Sequence, residues 1–305
     1  MSDRVKTLVL KRAYFSNDTR TDLEQMLRSM FQRHAKARDR IVGVDLLKNL
    51  VFAGLNDDPR VNGIFVRLFE FENGGTGAIN FESTNTSAGI EEVQPPKDQE
   101  FLVADMVLLV SGNDVIASGM ANKNGTFARC ITEICSKSGL IDSGTRMDVL
   151  DVPNKVELKE LHESGVAKID FGITDYLASL PDFRTTKAKF LETMLRRPSE
   201  FEELRKRSQT VGRVTLSRGK FRKDEIEKDE WLTEIGSEIV ESDIEDTYTI
   251  KLENGKTLTN RNLKLQKTVK VRRYANTVNY SQLENELAKF QKELIADGEI
   301  GQAQP

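Results

Sequence analysis

FLVADMVLLVSGNDVIASGMA, Phe101–Ala121, decides the fold class. Two apolar runs flank Ser111-Gly112-Asn113-Asp114, four residues that favour a tight turn. The stretch reads as an antiparallel hairpin. Upstream, NGIFVRLFEFE and GAINFES read as two strands around the turn ENGGTG, whose glycines lie between strands and so form a hairpin turn rather than a phosphate cradle. Further upstream, TDLEQMLRSMFQRHAKARD spaces Leu23, Met26, Leu27, Met30 and Phe31 as one face of a helix, with Thr21 and Glu24 as a capping box. Its other face, with Arg28, Arg33, Lys36 and Arg38, reads as solvated. VKTLVLKRAYF before it is a strand.

Downstream, GTFARCITEICSKSGL reads as a helix with Thr126 at its start and Gly139 at its end. MDVLDVP is a strand that stops at Pro153. Beyond it lie a strand, VAKIDFG, a short helix, TDYLASL, and two helices, TTKAKFLETMLRR and EFEELRKRSQ, the second with a capping box of Ser199 and Glu202. RVTLS is a short strand. TYTIKLENGKTLTNRNLKLQKTVKVRR holds two or three more around Asn254-Gly255. In SQLENELAKFQKELI, capped by Ser281 and Glu284, Leu283, Leu287, Phe290 and Leu294 form a seam too short to make a coiled coil alone. It is expected to pack on the body of the protein, and the tail ADGEIGQAQP to fray. Hairpins interrupted by helices, without regular strand–helix alternation, mark an α+β protein of two lobes. The expected domains are 1–155, 156–276 and a C-terminal helix and tail at 277–305.

The chain has 305 residues and a net charge of -3. It carries no apolar run near the ~20 residues that cross a bilayer, and its start lacks the apolar core of a secretory signal, so a cytoplasmic protein is expected. Two cysteines agree with a reducing compartment. Five apart on a helix, Cys130 and Cys135 face different ways and suit neither a disulfide nor chelation. His34 and His162 read as structural.

The mild net charge conceals three blocks. Residues 184–223 carry a net +9, residues 224–246 a net -10, and residues 251–273 a net +7. Within RVTLSRGKFRKDE, Val214 and Leu216 alternate with Arg213, Thr215 and Ser217, as in a half-buried strand. Gly219 then permits a turn. Arg213, Arg218, Lys220, Arg222 and Lys223, with Thr215 and Ser217 nearby, have the makings of phosphate contacts. Arg196, Arg197, Arg205, Lys206 and Arg207 on the preceding helices add to them. Few aromatics are interleaved, which argues for duplex backbone binding over base stacking. The competing reading is a solvated face that pairs with the acidic block.

Other motifs carry less. Asp170-Phe171-Gly172 lacks the companion loops of a kinase and reads as the end of a strand. Asp148, Glu157 and Lys159 have the spacing of a metal-dependent nuclease, a pattern that arises by chance in a chain with 30% charged residues.

GIFVRLFEF, the hairpin FLVADMVLLVSGNDVIASGMA, the helix and glycine-containing turn before TRMDVLDV, the basic stretch LSRGKFRKDE and the charged C-terminal helix together resemble the RexA-like family of phage-exclusion proteins of bacteriophage lambda. A second resemblance is to the DNA-binding subunit of the Kiwa antiphage system. The first implies a two-lobed, homodimeric DNA-binding protein. It would be the sensor half of an antiphage pair whose other half is a membrane protein. Arg218 and Lys220 match that family's basic pair. The resulting expectation is a non-enzymatic, largely sequence-independent binder of double-stranded DNA acting in phage exclusion, with no cofactor and no metal. The alternatives are a nuclease using Asp148, Glu157 and Lys159, and an adaptor that binds another protein.

Overall fold

The structure, a computed structural model, describes residues 3–16, 21–44, 48–72, 74, 76–80, 89–97, 99–119, 124–142, 144–172, 213–217, 232–237, 248–275 and 277–301. The strands in chain order are β1 (Asp3–Phe15), β2 (Ile41–Gly43), β3 (Lys48–Asp57), β4 (Ile64–Glu72), β5 (Thr76–Asn80), β6 (Gly89–Val93), β7 (Phe101–Ser111), β8 (Asp114–Ser118), β9 (Met147–Asp151), β10 (Val166–Gly172), β11 (Arg213–Ser217), β12 (Tyr248–Leu252), β13 (Thr257–Thr259), β14 (Gln266–Tyr274) and β15 (Thr277–Val278). The longer helices are α1 (Leu23–Arg33), α2 (Asn124–Lys137), α3 (Lys155–Ser164) and α4 (Tyr280–Ala296). The pairings are antiparallel, and the fold is α+β. No helix among the described residues is long and apolar enough to cross a membrane.

Contacts divide the chain into two units, Met1–Leu150 with Gln266–Pro305, and Asp151–Leu265. The cut differs from the three segments read along the sequence. The chain returns to the first unit at Gln266 because β14 pairs with β1 from Asp3↔Arg272 to Val9↔Gln266.

The first unit is built on a nine-stranded sheet ordered β15-β14-β1-β8-β7-β4-β3-β2, with β9 also on β1. The β7–β8 hairpin turns between Ser111 and Asp114, as its sequence predicts, with Gly112 at φ 57°. One face of the sheet presents Ile64, Val66, Leu68, Met106, Leu108, Val110, Val115 and Ala117 to Leu23, Met26, Leu27 and Met30 of α1 and to Phe127, Ile131 and Ile134 of α2. Helix α4 lies against β7 and β14 and buries Leu283, Leu287, Phe290 and Leu294. The C-terminal seam is thus spent within the chain itself, at roughly 2 kcal/mol for each fully buried leucine. Cys130 and Cys135 are free and buried in the helix-covered core.

Several local expectations are corrected. β5 does not form a hairpin with β4; it pairs with β6 in a separate two-stranded sheet. β4 is apolar on both faces and already paired on both edges, by β3 and β7, which leaves no edge for β5. The cap of α1 is Asp22, whose carboxylate accepts from Gln25 N at 2.8 Å. Glu24 instead accepts from Gly112 N at 3.0 Å, which ties the helix start to the hairpin turn. The cap of α4 is Asn279, accepting from Gln282 N at 3.0 Å, while Glu284 turns to Arg67. Thr126 lies inside α2 rather than at its start. Ile300 is buried, so the order of the tail extends beyond the expected fraying point.

The second unit holds a four-stranded sheet ordered β11-β10-β12-β13. One of its faces carries Val166, Ile169, Leu216, Tyr248, Ile250, Leu252 and Leu258, packed with Leu161 of α3, with Leu232 and Ile235 of the helical residues 232–237, and with Leu263. β12 and β13 are joined at Asn254-Gly255, where Gly255 has φ 87° and Asn254 Oδ1 accepts from Lys256 N at 2.9 Å.

Candidate nucleic-acid interface

The basic strip is reached through β11. Where its side chains are described the alternation is as read from the sequence, Leu216 being buried and Thr215 and Ser217 exposed, while the side chains of Arg213 and Val214 lie outside the described residues. Arg213 opens the strand in register with Gly172. Arg218, Lys220, Arg222, Lys223, Arg196, Arg197, Arg205, Lys206 and Arg207 lie outside the described residues. So do TDYLASL, TTKAKFLETMLRR and EFEELRKRSQ.

Strand pairing sets the outer face of this sheet, opposite the apolar one. Ser217 pairs with Lys168, Lys168 with Lys251, and Lys251 with Thr257. One row therefore crosses all four strands as hydroxyl, ammonium, ammonium, hydroxyl. The neighbouring row is Thr215, Asp170, Thr249 and Thr259. Side chains on one face of a strand recur every ~7 Å, and those in a row lie about 5 Å apart. Ser217, Lys251, Thr215 and Thr257 are exposed, and Lys168, Asp170, Thr249 and Thr259 half-buried. A bulge between Val166 and Lys168 makes the pattern consistent, turning Val166 and Ile169 inward and Lys168 and Asp170 outward.

The row's charges are unequally committed. Lys168 Nζ lies 2.8 Å from Asp170 Oδ2, and Thr215 Oγ1 donates to Asp170 Oδ1 at 2.5 Å. Lys251 has no ion pair among the described residues. Other cations of the third block are engaged. Lys256 bridges Glu157 at 2.8 Å and Glu160 at 2.5 Å, and its hydrogen bond holds the Glu160 carboxyl below its ordinary range. Lys264 pairs with Asp151, and Lys267 with Glu293 at 2.5 Å. The cationic face of α1 is engaged too: Arg28 pairs with Glu24 at 2.9 Å and Asp57 at 2.6 Å, and Arg33 donates to the Ser138 carbonyl.

Glu157 and Lys159 sit two apart on α3, where side chains point ~200° from each other. Lys159 is 3.5 Å from Glu163. Asp148 belongs to the first unit, on β9. Among the described residues no group of three His, Cys, Asp or Glu side chains could hold a metal ion. Asp170-Phe171-Gly172 closes β10, as expected. His34 Nε2 meets Ser138 Oγ at 2.8 Å, and His162 Nε2 meets Ser237 Oγ at 3.2 Å. Desolvation pushes the Cys130 thiol up to about 11 and the Cys135 thiol up to about 12, so neither suits a nucleophile.

Of the acidic block, residues 232–237 are described. Leu232 and Ile235 anchor it in the core, and Gly236 lies close to Val166 and Ile250. That anchor is on the apolar face, away from the lysine row. Lys168, Lys251, Thr249 and Thr257 were not singled out in the sequence. The clearest signal was the alternation in TYTIKL, where Thr249 and Lys251 sit between the buried Tyr248, Ile250 and Leu252. No protein-family model matches the chain, and neither does any curated protein or solved structure.

Proposed function

We propose that the chain is a non-enzymatic, largely sequence-independent binder of double-stranded DNA, and that the outer face of the second unit's sheet is part of its phosphate platform. The observation that carries this is the row Ser217–Lys168–Lys251–Thr257. Like charges directly across a sheet cost about 0.2–1 kcal/mol in the free protein. A bound phosphate between them turns that cost into two charge-assisted hydrogen bonds, with the flanking hydroxyls as further donors. The two rows contain no aromatic side chain, which favours backbone contact over base stacking. Ser217, where the row meets β11, is followed in sequence by the basic residues Arg218 and Lys220, which are proposed to extend the contact set. A role as the sensor of a phage-exclusion pair, homodimeric and working with a membrane-protein effector, rests on the RexA-like resemblance.

The test is fluorescence anisotropy with a labelled duplex of ~30 base pairs across a salt series, where each neutralised phosphate adds about 0.9 to the slope of log K against log salt. Tight binding with a slope of four or more phosphates is expected, lost in Lys168→Glu/Lys251→Glu and in Arg218→Glu/Lys220→Glu. Binding that survives both double substitutions overturns the platform. No binding at low salt overturns DNA as the ligand and favours a protein partner for the charge blocks.

A further inference from the structure

Resting on that reading, we infer that Asp170 is the residue that limits the affinity of the platform, by holding Lys168 until a phosphate competes for it. A carboxylate is the wrong group to place among phosphate donors, yet Asp170 stands in the centre of the outer face. It lies in register with Thr215 on one side and Thr249 on the other. Its partners include Lys168 Nζ at 2.8 Å and Thr215 Oγ1 at 2.5 Å, and its side chain is 14% exposed. Lys168 keeps 42% of its side chain exposed, so its ammonium reaches solvent while leaning on Asp170.

The chemistry follows from these contacts. A phosphate arriving at the lysine row meets Lys251 uncommitted and Lys168 already neutralised. Binding must loosen Lys168 from Asp170, or must accept a carboxylate close to the phosphate oxygens. Either way the Asp170 charge subtracts from the anion affinity of the row. It also offsets the repulsion between Lys168 and Lys251 in the free protein, which explains why the fold tolerates the lysine pair. The arrangement lowers the share that this row contributes to binding and leaves the rest of the contact set unaffected.

Asp170→Asn keeps the shape and an acceptor for Thr215 while removing the charge. It is expected to raise the affinity for the labelled duplex roughly fivefold at ~0.1 M salt and to steepen the salt slope by about 0.9, the share of one added phosphate contact. The gain must depend on Lys168, so adding Lys168→Gln to Asp170→Asn should erase it. A gain that persists in the double variant means simple loss of negative charge and overturns the inference. An affinity and slope unchanged by Asp170→Asn also overturn it, with the platform reading intact. No binding by the unmodified protein overturns both. If Asp170→Asn melts well below the unmodified protein, Asp170→Thr repeats the test with a residue suited to a strand and matched to Thr215 and Thr249.

Discussion

Arg67 of β4 grips Glu284 of α4 with Nε at 2.9 Å and Nη2 at 2.6 Å, both on one carboxylate oxygen. The guanidinium also lies 5.2 Å from the centre of the Tyr280 ring. The Glu284 side chain is 7% exposed, so its charge has exchanged water for Arg67. Arg67→Ala strands that carboxylate. Removing one partner of a fully buried pair costs ~3–5 kcal/mol, and because Arg67 keeps 36% of its side chain exposed the expected loss is nearer 2 kcal/mol. Urea unfolding checks it. Adding Glu284→Gln to Arg67→Ala should recover about half of the loss, since no charge is then left alone; a double variant weaker than Arg67→Ala would contradict this.

The lysine row predicts a trade between stability and binding. Lys251→Thr removes the like-charge partner of Lys168 and places a β-branched residue in β12. Because Asp170 already offsets part of the repulsion, the expected gain in unfolding free energy is about 0.2–0.5 kcal/mol. The same variant should bind the labelled duplex more weakly and with a shallower salt slope. A loss of stability together with unchanged binding would show that Lys251 is an ordinary surface lysine.

Alkaline pH should loosen the first unit. Cys130 and Cys135 move from 9.0 in water to about 11 and about 12 in the fold, because burial opposes the thiolate. The unfolded chain therefore sheds these protons first. Their contribution is unaffected below pH ~9 and is lost progressively between pH ~9 and the folded values. Replacing both cysteines by Ala should reduce the alkaline slope of stability, measured as urea midpoints from pH 8 to pH 10.5. In the native protein at pH 8 an aromatic disulfide reagent should find neither thiol, and should titrate both in urea.

How much of this was legible depends on where the information sits. The β7–β8 hairpin could be read because its apolar runs and its turn are contiguous in sequence. The seam of α4 could be read for the same reason, through its 4-3-4 spacing. The pairing of β4 could not, since the ENGGTG turn suggested a neighbour that long-range pairing with β3 and β7 displaced. The caps of α1 and α4 were misread because Glu24 and Glu284 have stronger distant partners, Gly112 N and Arg67, than a local capping box offers. The lysine row depended on register: Lys168 and Lys251 are 83 positions apart and meet only because β10 and β12 pair. Thr215 and Ser217 were found within β11, but nothing local to that strand announces the lysine row beside it.

Gly63 supplies the severest single test of the first unit. It precedes β4 with φ 120°, and a Cβ placed there would lie 2.0 Å from the carbonyl oxygen of Val110. That oxygen belongs to β7, whose pairing with β4 begins at Ile64↔Val110. The neighbouring Asn62 is fixed as well: its N–H donates to Gln291 Oε1 at 3.0 Å, and its carbonyl accepts from Gln291 Nε2 at 2.5 Å. Backbone therefore opposes backbone, with no flexible side chain to yield. Gly63→Ala adds a strained φ to a steric conflict, and a loss above about 4 kcal/mol is expected, enough to deplete the folded state of a marginally stable protein. Gly255→Ala is the control, since its φ of 87° carries strain but a Cβ there meets nothing within 4 Å; its expected cost is about 1 kcal/mol. Soluble yield and urea midpoints of the two variants side by side decide the matter, and equal midpoints would mean that the β3–β4 turn relaxes away from β7.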